Sequence, residues 1–348
     1  MTRVLIIRFS SMGDVILTTP VVRALHAMLE GEVEVHYLTK APFAEAVRGL
    51  AGVHRVWTIE KTTAEIESEL QEVGFHYVVD LHANARSGFV KRALRSAEGG
   101  ALDLTVDKRS MDKILLVRTG WDRLQGQHVV ERYLKTLGPF GNALTALSAN
   151  GDQAGLRLPS AAGGSGGRGA EVGGAEVGGG GVVLALGAAH AGKAVPEAHW
   201  ATIIAGLQSR EKQVHLLGGP AEQHLAVRLS ESAGGPVHVH CGDTGWSKTF
   251  EVISNADVLV AGDTGAMHAG AALNTPMVVV WGCTSPALGM GPWRAHPAVI
   301  QLEPEAPIRS RPCSRLGDRC RHKTPCMERV SPARILEAVD ALFSQTAP

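Results

Sequence analysis

The chain has 348 residues, too long for one ordinary domain of about 100–200 residues, so two domains are expected. Lys plus Arg and Asp plus Glu both number 34, and this balance provides no chain-wide basic field for nonspecific nucleic-acid binding or attachment to an anionic membrane. Hydrophobic residues make up 45%, which excludes a wholly disordered chain, and five cysteines without a C-x-x-C fit a reducing cytoplasm better than a disulfide framework.

Val4–Ile7 is an apolar run ended by Arg8, of the kind a strand buried on both faces shows, and it is too short for a signal-peptide core. A helix is predicted from about Asp14 to Leu29, then strands at Val33–Leu38 and His76–Leu81. Helices follow around Ala64–Val73, Arg86–Arg95 and Gln127–Leu137. Residues 161–181 interrupt this alternation: eleven of the 21 positions are glycine, and Ala-Glu-Val-Gly-Gly occurs twice. Such a stretch buries no core and reads as a flexible linker; its one G-x-G-x-x-G match (Gly164, Gly166, Gly169) has no strand before it and no helix after it. Strands then return at Val182–Leu186, Val214–Leu217, Val237–His240, Val258–Val260 and Met277–Val280. Helices are predicted between them at Glu197–Arg210, Ala221–Ser232, Ser247–Ser254 and Ala266–Leu273, and last at Pro332–Phe343.

Two βαβ-type halves imply two Rossmann-like, doubly wound parallel-sheet domains facing a cleft, with ligands at the carboxyl ends of the strands. The expected divisions are 1–160, the 161–181 linker, 182–330, and a C-terminal helix and tail at 331–348.

Four loops at those strand ends carry candidate chemistry. In Ser10-Ser11-Met12-Gly13-Asp14, Gly13 allows a tight turn and Asp14 stands at a helix N-terminus, which suits either a helix cap or a proton acceptor. Gly187 to Ala194 nearly matches the P-loop pattern, but Ala194 lacks the hydroxyl that would hold magnesium. Lys193 remains as a point charge for a diphosphate or as a solvated surface lysine. In Gly218 to Glu222, the carboxylate of Glu222 suits ribose hydroxyls or the first turn of a helix. In Ala261 to His268, the amides near Thr264, Gly265 and Ala266 would form an anion site, with Asp263 or Thr264 as cap and His268 one turn in.

No D-x-D, H-E-x-x-H or C-x-x-C pattern occurs, and no residue is assigned to a metal or cofactor. Cys313, Cys320, His322 and Cys326 form one Cys₃His-like set. Its spacing is irregular for zinc, so packed or surface thiols are favoured.

Taken in order, these loops resemble glycosyltransferase family 9, the heptosyltransferases of the lipopolysaccharide core. Val4 to Val15 is similar to that family's opening strand, loop and helix. Val78 to Ser87 is similar to its acceptor-side loop, and Gly262 to Pro276 is the most specific match. The resemblance implies a GT-B fold and metal-independent, inverting transfer of heptose from ADP-heptose. Asp14 would be the general base, and Lys193 with the amides around Gly265 would neutralise the departing diphosphate. Ser11, Gly13, Glu222, Asp263, Thr264 and His268 would complete the donor pocket. The acceptor, a lipid-linked lipopolysaccharide core, would meet His82, Asn84 and Arg86. The basic stretch Arg86, Lys91, Arg92 and Arg95 would then receive acceptor anions or form a solvated helix face. A cytoplasmic enzyme in peripheral contact with the inner membrane, with no nucleic-acid partner, is expected. The alternative is another GT-B nucleotide-sugar enzyme with a different donor, or an epimerase. Where relatives often have Gly after Asp-Leu-His this chain has Ala83, and where they often have Trp before Pro196 it has Val195.

Overall fold

In the computed structural model, residues 1–96, 100–158, 180–242, 245–305 and 311–346 are described. The opening apolar run is β1 (Thr2–Ile7), with Val4 to Ile7 fully buried on both faces. The chain continues as α1 (Met12–Ile16), α2 (Thr19–Met28), β2 (Val33–Lys40), α3 (Ala44–Arg48), β3 (Val53–Ile59), α4 (Glu67–Val73), β4 (Tyr77–Asp80), α5 (Ala85–Ser96), β5 (Leu102–Thr105), α6 (Ser110–Thr119), α7 (Val129–Lys135) and α8 (Ala143–Ala149). Every strand pairing is parallel, in the order β3-β2-β1-β4-β5.

The helix expected over Asp14–Leu29 is two helices. Pro20 has no N–H to give the carbonyl of Ile16, so α1 stops there and proline sits in the first turn of α2. The sequence pattern missed β3 and β5. Both are edge strands with exposed faces, so neither shows a buried apolar run.

The second sheet runs β6 (Val182–Ala185), α9 (Glu197–Gln208), β7 (Val214–Leu217), α10 (Gln223–Ser232), β8 (His238–His240), α11 (Gly245–Ser254), β9 (Val258–Gly262), α12 (Gly265–Ala272), β10 (Met277–Val280), β11 (Val299–Leu302) and α13 (Pro332–Thr346). Its order is β11-β10-β9-β6-β7-β8, again all parallel. The helix predicted at Ala266–Leu273 and the strand predicted at Met277–Val280 are α12 and β10. A core of Trp200, Ile204, Val260, Ile335, Val339 and Leu342 lies beneath this sheet. Each such side chain contributes about 1.5–3 kcal/mol on burial. Gly206 sets the approach of α13 to α9, because a Cβ there would overlap Leu336.

The chain divides into two compact units, Met1–Ser110 with Gln127–Pro159, and Met111–Gly126 with Ser160–Pro348. Residues 111–126 join the second unit because Leu116, Val117 and Leu124 pack with Leu288, and Arg321 donates to the Val117 carbonyl at 3.0 Å. The glycine-rich stretch and its G-x-G-x-x-G match lie outside the described residues, except for Gly180 and Gly181. Among the described residues, no helix is long and apolar enough to cross a membrane.

Candidate active site

In the first unit, β1 delivers Arg8 and α1 begins with Ser11 as its cap and Asp14 at the third position, a capping box. One carboxylate oxygen of Asp14, Oδ2, takes Ser11 N–H at 3.2 Å, Ser11 Oγ at 3.1 Å and Arg8 Nη2 at 2.6 Å. The other, Oδ1, lies 3.5 Å from the Tyr133 hydroxyl, beyond a normal O–H···O distance. Burial acts to raise the carboxyl pKa, but the Arg8 charge and the Ser11 bonds outweigh it and hold Asp14 below the ordinary carboxylate range. The cap of α1 is thus Ser11 and not Asp14, whose carboxylate closes the capping box from the third position and is held in its ionised form.

Arg8 is itself fixed, donating to the carbonyls of Ser10 (2.8 Å) and Leu81 (2.6 Å). In the sequence Arg8 only ends an apolar run and Tyr133 stands in no motif, so no local pattern marks either. Phe9, fully buried, joins the two loops: the His82 ring meets it edge-on at 5.1 Å and the Arg86 guanidinium lies 5.7 Å from its centroid.

The loop after β4 is shaped by Asp80, which accepts from His82 N–H (3.0 Å), Ala83 N–H (2.7 Å) and Ser87 Oγ (2.7 Å). These bonds hold Ala83 at φ +46°, a left-handed conformation that favours glycine. Burial first, then the charges of Arg8 and Lys108, push His82 down to about 4, so its imidazole is neutral at pH 7. Its Nδ1 is buried and has no hydrogen-bond partner among the described residues. Asn84 Oδ1 accepts Ser87 N–H at 3.0 Å at the start of α5. Lys91 and Arg95 are likewise engaged, Lys91 with Asp80 (3.4 Å) and Asp103 (3.6 Å), and Arg95 with Asp103 at 2.6 Å. Two of the four basic residues of this stretch, Lys91 and Arg95, are thus paired within the first unit, while Arg86 and Arg92 lie over Phe9 and Phe89.

In the second unit the loops after β6, β7 and β9 converge. Lys193 ends a short 3₁₀ turn, and its Nζ lies 2.8 Å from Asp263 Oδ2, with both side chains largely buried. The chain does not enter a helix after Lys193 as a P-loop does; α9 starts only after Pro196. Glu222 Oε2 accepts Gly219 N–H at 2.9 Å, so its first-turn role is realised, and its carboxylate packs against Gly187. Thr264 is extended at the N-cap of α12 but makes no side-chain cap bond, and its Oγ1 is buried without a hydrogen-bond partner among the described residues. The amide end of α12 is therefore uncapped by its own side chain, as an anion site requires. His268 is buried in the second turn of α12.

The sulfur-rich set is corrected. Cys313, Cys320 and Cys326 do come together, but the fourth member is Cys283, from the loop after β10, and not His322.

Two doubly wound parallel sheets of this order, with loops at the carboxyl ends of their strands, are the GT-B type of fold. The family model for glycosyltransferase family 9 (heptosyltransferase) matches residues 64–317. Lipopolysaccharide heptosyltransferase 1 of Pseudomonas aeruginosa is 25% identical over 98% of this chain and 98% of its own length. Among solved structures, the ADP-heptose lipopolysaccharide heptosyltransferase II of Escherichia coli superposes with a TM-score of 0.73 at 19% identity, covering 99% of both chains. The E. coli heptosyltransferase WaaC with ADP gives 0.64 at 20% identity, covering 98% of this chain and 100% of that one. The chain belongs to glycosyltransferase family 9, the heptosyltransferases.

Proposed function

We propose that this protein moves heptose from ADP-heptose to a lipopolysaccharide inner-core acceptor, with inversion and without a catalytic metal. The acceptor hydroxyl attacks the anomeric carbon, its proton passes to Asp14 Oδ1, and the bond from the anomeric carbon to the diphosphate oxygen breaks to release ADP. Attack from the face opposite the leaving group inverts the centre. The observation that carries this reading is the division of labour on Asp14: Oδ2 is taken by Arg8 and Ser11, while among the described residues Oδ1 has Tyr133 alone, at 3.5 Å.

The donor is assigned to residues 182–330 and the acceptor to residues 1–160. Lys193, Thr264 and the first amides of α12, with Gly265 leading, would neutralise the diphosphate, which is the charge a metal supplies elsewhere. Asp263 would orient Lys193, His268 would back the helix, and Glu222 would take the ribose through its second oxygen. Ser11 and Gly13 would shape the turn that presents Asp14. His82 and Arg86 would meet the acceptor, with neutral His82 Nδ1 accepting a sugar hydroxyl. The absence of a D-x-D pair from the sequence supports the metal-free reading. A lipid-linked acceptor implies work at the cytoplasmic face of the inner membrane through peripheral contact.

The test pairs Asp14→Ala with donor binding. Transfer onto a truncated lipopolysaccharide core should vanish while ADP-heptose still stabilises the protein in a thermal-shift assay; normal turnover by the variant would remove Asp14 as base. Stabilisation by UDP- or GDP-sugars alone would remove the donor.

A further inference from the structure

The four cysteines lie outside the groups assigned to transfer, and their geometry is specific. Cys320 and Cys326 Sγ are 3.5 Å apart, Cys313 and Cys326 are 3.6 Å apart, and Cys313 and Cys320 are 4.0 Å apart. All four sulfurs, Cys283 included, lie within 4.8 Å of one another. A tetrahedral tetrathiolate with metal–sulfur bonds of about 2.3 Å has sulfur–sulfur edges of roughly 3.8 Å, close to the spacing among Cys313, Cys320 and Cys326. A disulfide needs about 2.05 Å, and all five cysteines of the chain are unbridged.

The surrounding backbone is arranged around these sulfurs. Cys326 N–H points at Cys320 Sγ at 3.4 Å, as an amide does toward a thiolate. Cys313 N–H donates to the Cys283 carbonyl at 2.7 Å, pairing the two loops beside the cluster. Arg311 donates to the carbonyls of Gly282 (3.0 Å) and Thr284 (2.7 Å), fixing the chain on both sides of Cys283. Between Arg311 and Pro325 the described chain has no helix or strand. A loop of that kind has little apolar surface to bury, and a metal supplies the folding energy a core would otherwise provide.

We propose that Cys283, Cys313, Cys320 and Cys326 bind one tetrahedral, thiolate-preferring metal ion, zinc or iron, as a structural centre. Its consequence reaches Lys193 through backbone. Gly192 N–H donates to the Gly317 carbonyl at 2.9 Å, and the Gly192 carbonyl accepts Cys283 N–H at 2.9 Å. The Lys193 stem runs across Gly317, where a Cβ would come within 2.6 Å of Lys193 Cγ. The metal would hold the 311–326 loop, and that loop supports the Lys193 turn. This proposal does not depend on the identity of the donor or the acceptor.

The experiment is elemental analysis of the untagged full-length chain, with cobalt(II) replacement as the geometric readout. One zinc or iron per chain is expected, and the analysis itself says which. Cobalt should give intense sulfur-to-metal charge transfer together with tetrahedral d–d bands. Cys313→Ser and Cys326→Ser should lose the metal, while Cys241→Ser, which removes the one cysteine outside the cluster, should keep it. The wild-type measurement stands even if a cysteine variant fails to fold. Folded, metal-free protein with four freely titrating thiols, disulfides within the cluster, or full metal retention in Cys326→Ser would each overturn the proposal.

Discussion

Arg8 Nη2 and Asp14 Oδ2 are 2.6 Å apart across the turn between β1 and α1, and both side chains are mostly shielded from solvent. Arg8 therefore sets the basicity of Asp14 at the cost of making it a weaker base, while keeping it ionised. Removing Arg8 leaves burial as the dominant influence, and burial raises the Asp14 carboxyl. In Arg8→Gln, the acid limb of the kcat/KM profile should move upward by about one pH unit or more, within the range a nearby opposite charge commands. A pH–rate profile unchanged from wild type would mean that Asp14 does not control that limb. The same lowered pKa makes this pair stabilising above the unfolded carboxyl value, with that contribution lost as pH falls through the folded one.

Lys193 and Asp263, 2.8 Å apart, form the corresponding pair in the second unit. Lys193→Met should weaken ADP binding by roughly 10- to 100-fold, the loss of one charged hydrogen bond. It should also lower the melting temperature, because Asp263 is left buried and unpaired. Adding Asp263→Asn should recover the stability without the affinity. Calorimetric titration with ADP and thermal melts separate the two effects.

Gly317 has φ +75°, and its missing Cβ makes room for the Lys193 stem. Gly317→Ala should reduce ADP affinity in the manner of Lys193→Met although residue 317 bears no charge. Equal affinity in the alanine variant, measured by the same titration, would show that the lysine stem accommodates the methyl group.

Three histidines are held neutral in the fold. Burial, then neighbouring positive or histidine groups, push His36, His82 and His215 down to about 4. The unfolded chain therefore binds more protons between about pH 6.5 and pH 4, and stability should fall as pH drops through that window. Melting temperatures from pH 7 to pH 4.5, with unfolding enthalpies in buffers of different ionisation heat, should show net proton uptake. Replacing His215, stacked against His238 and His240, with Gln should flatten the dependence.

The strands buried on both faces were legible in the sequence because burial on two sides leaves an unbroken apolar run, as at β1, β7 and β10. The loops after β1, β6, β7 and β9 stand out in the sequence as glycine-bearing turns that follow buried strands, although the same residues also suit helix caps and first-turn charges. The edge strands β3 and β5 were not, because an exposed face mixes polar and apolar residues.

The sequence by itself therefore determined the buried strands of the two parallel sheets, and offered Asp14 and Lys193 as candidates. Local patterns carry that information. Only the tertiary structure decided the partners: Arg8 and Tyr133 at Asp14, Asp263 at Lys193, Asp103 at Lys91 and Arg95, and Cys283 in place of His322. Each of these joins residues from different loops, and such contacts are set by how strands align in a sheet, which spacing along the chain does not encode.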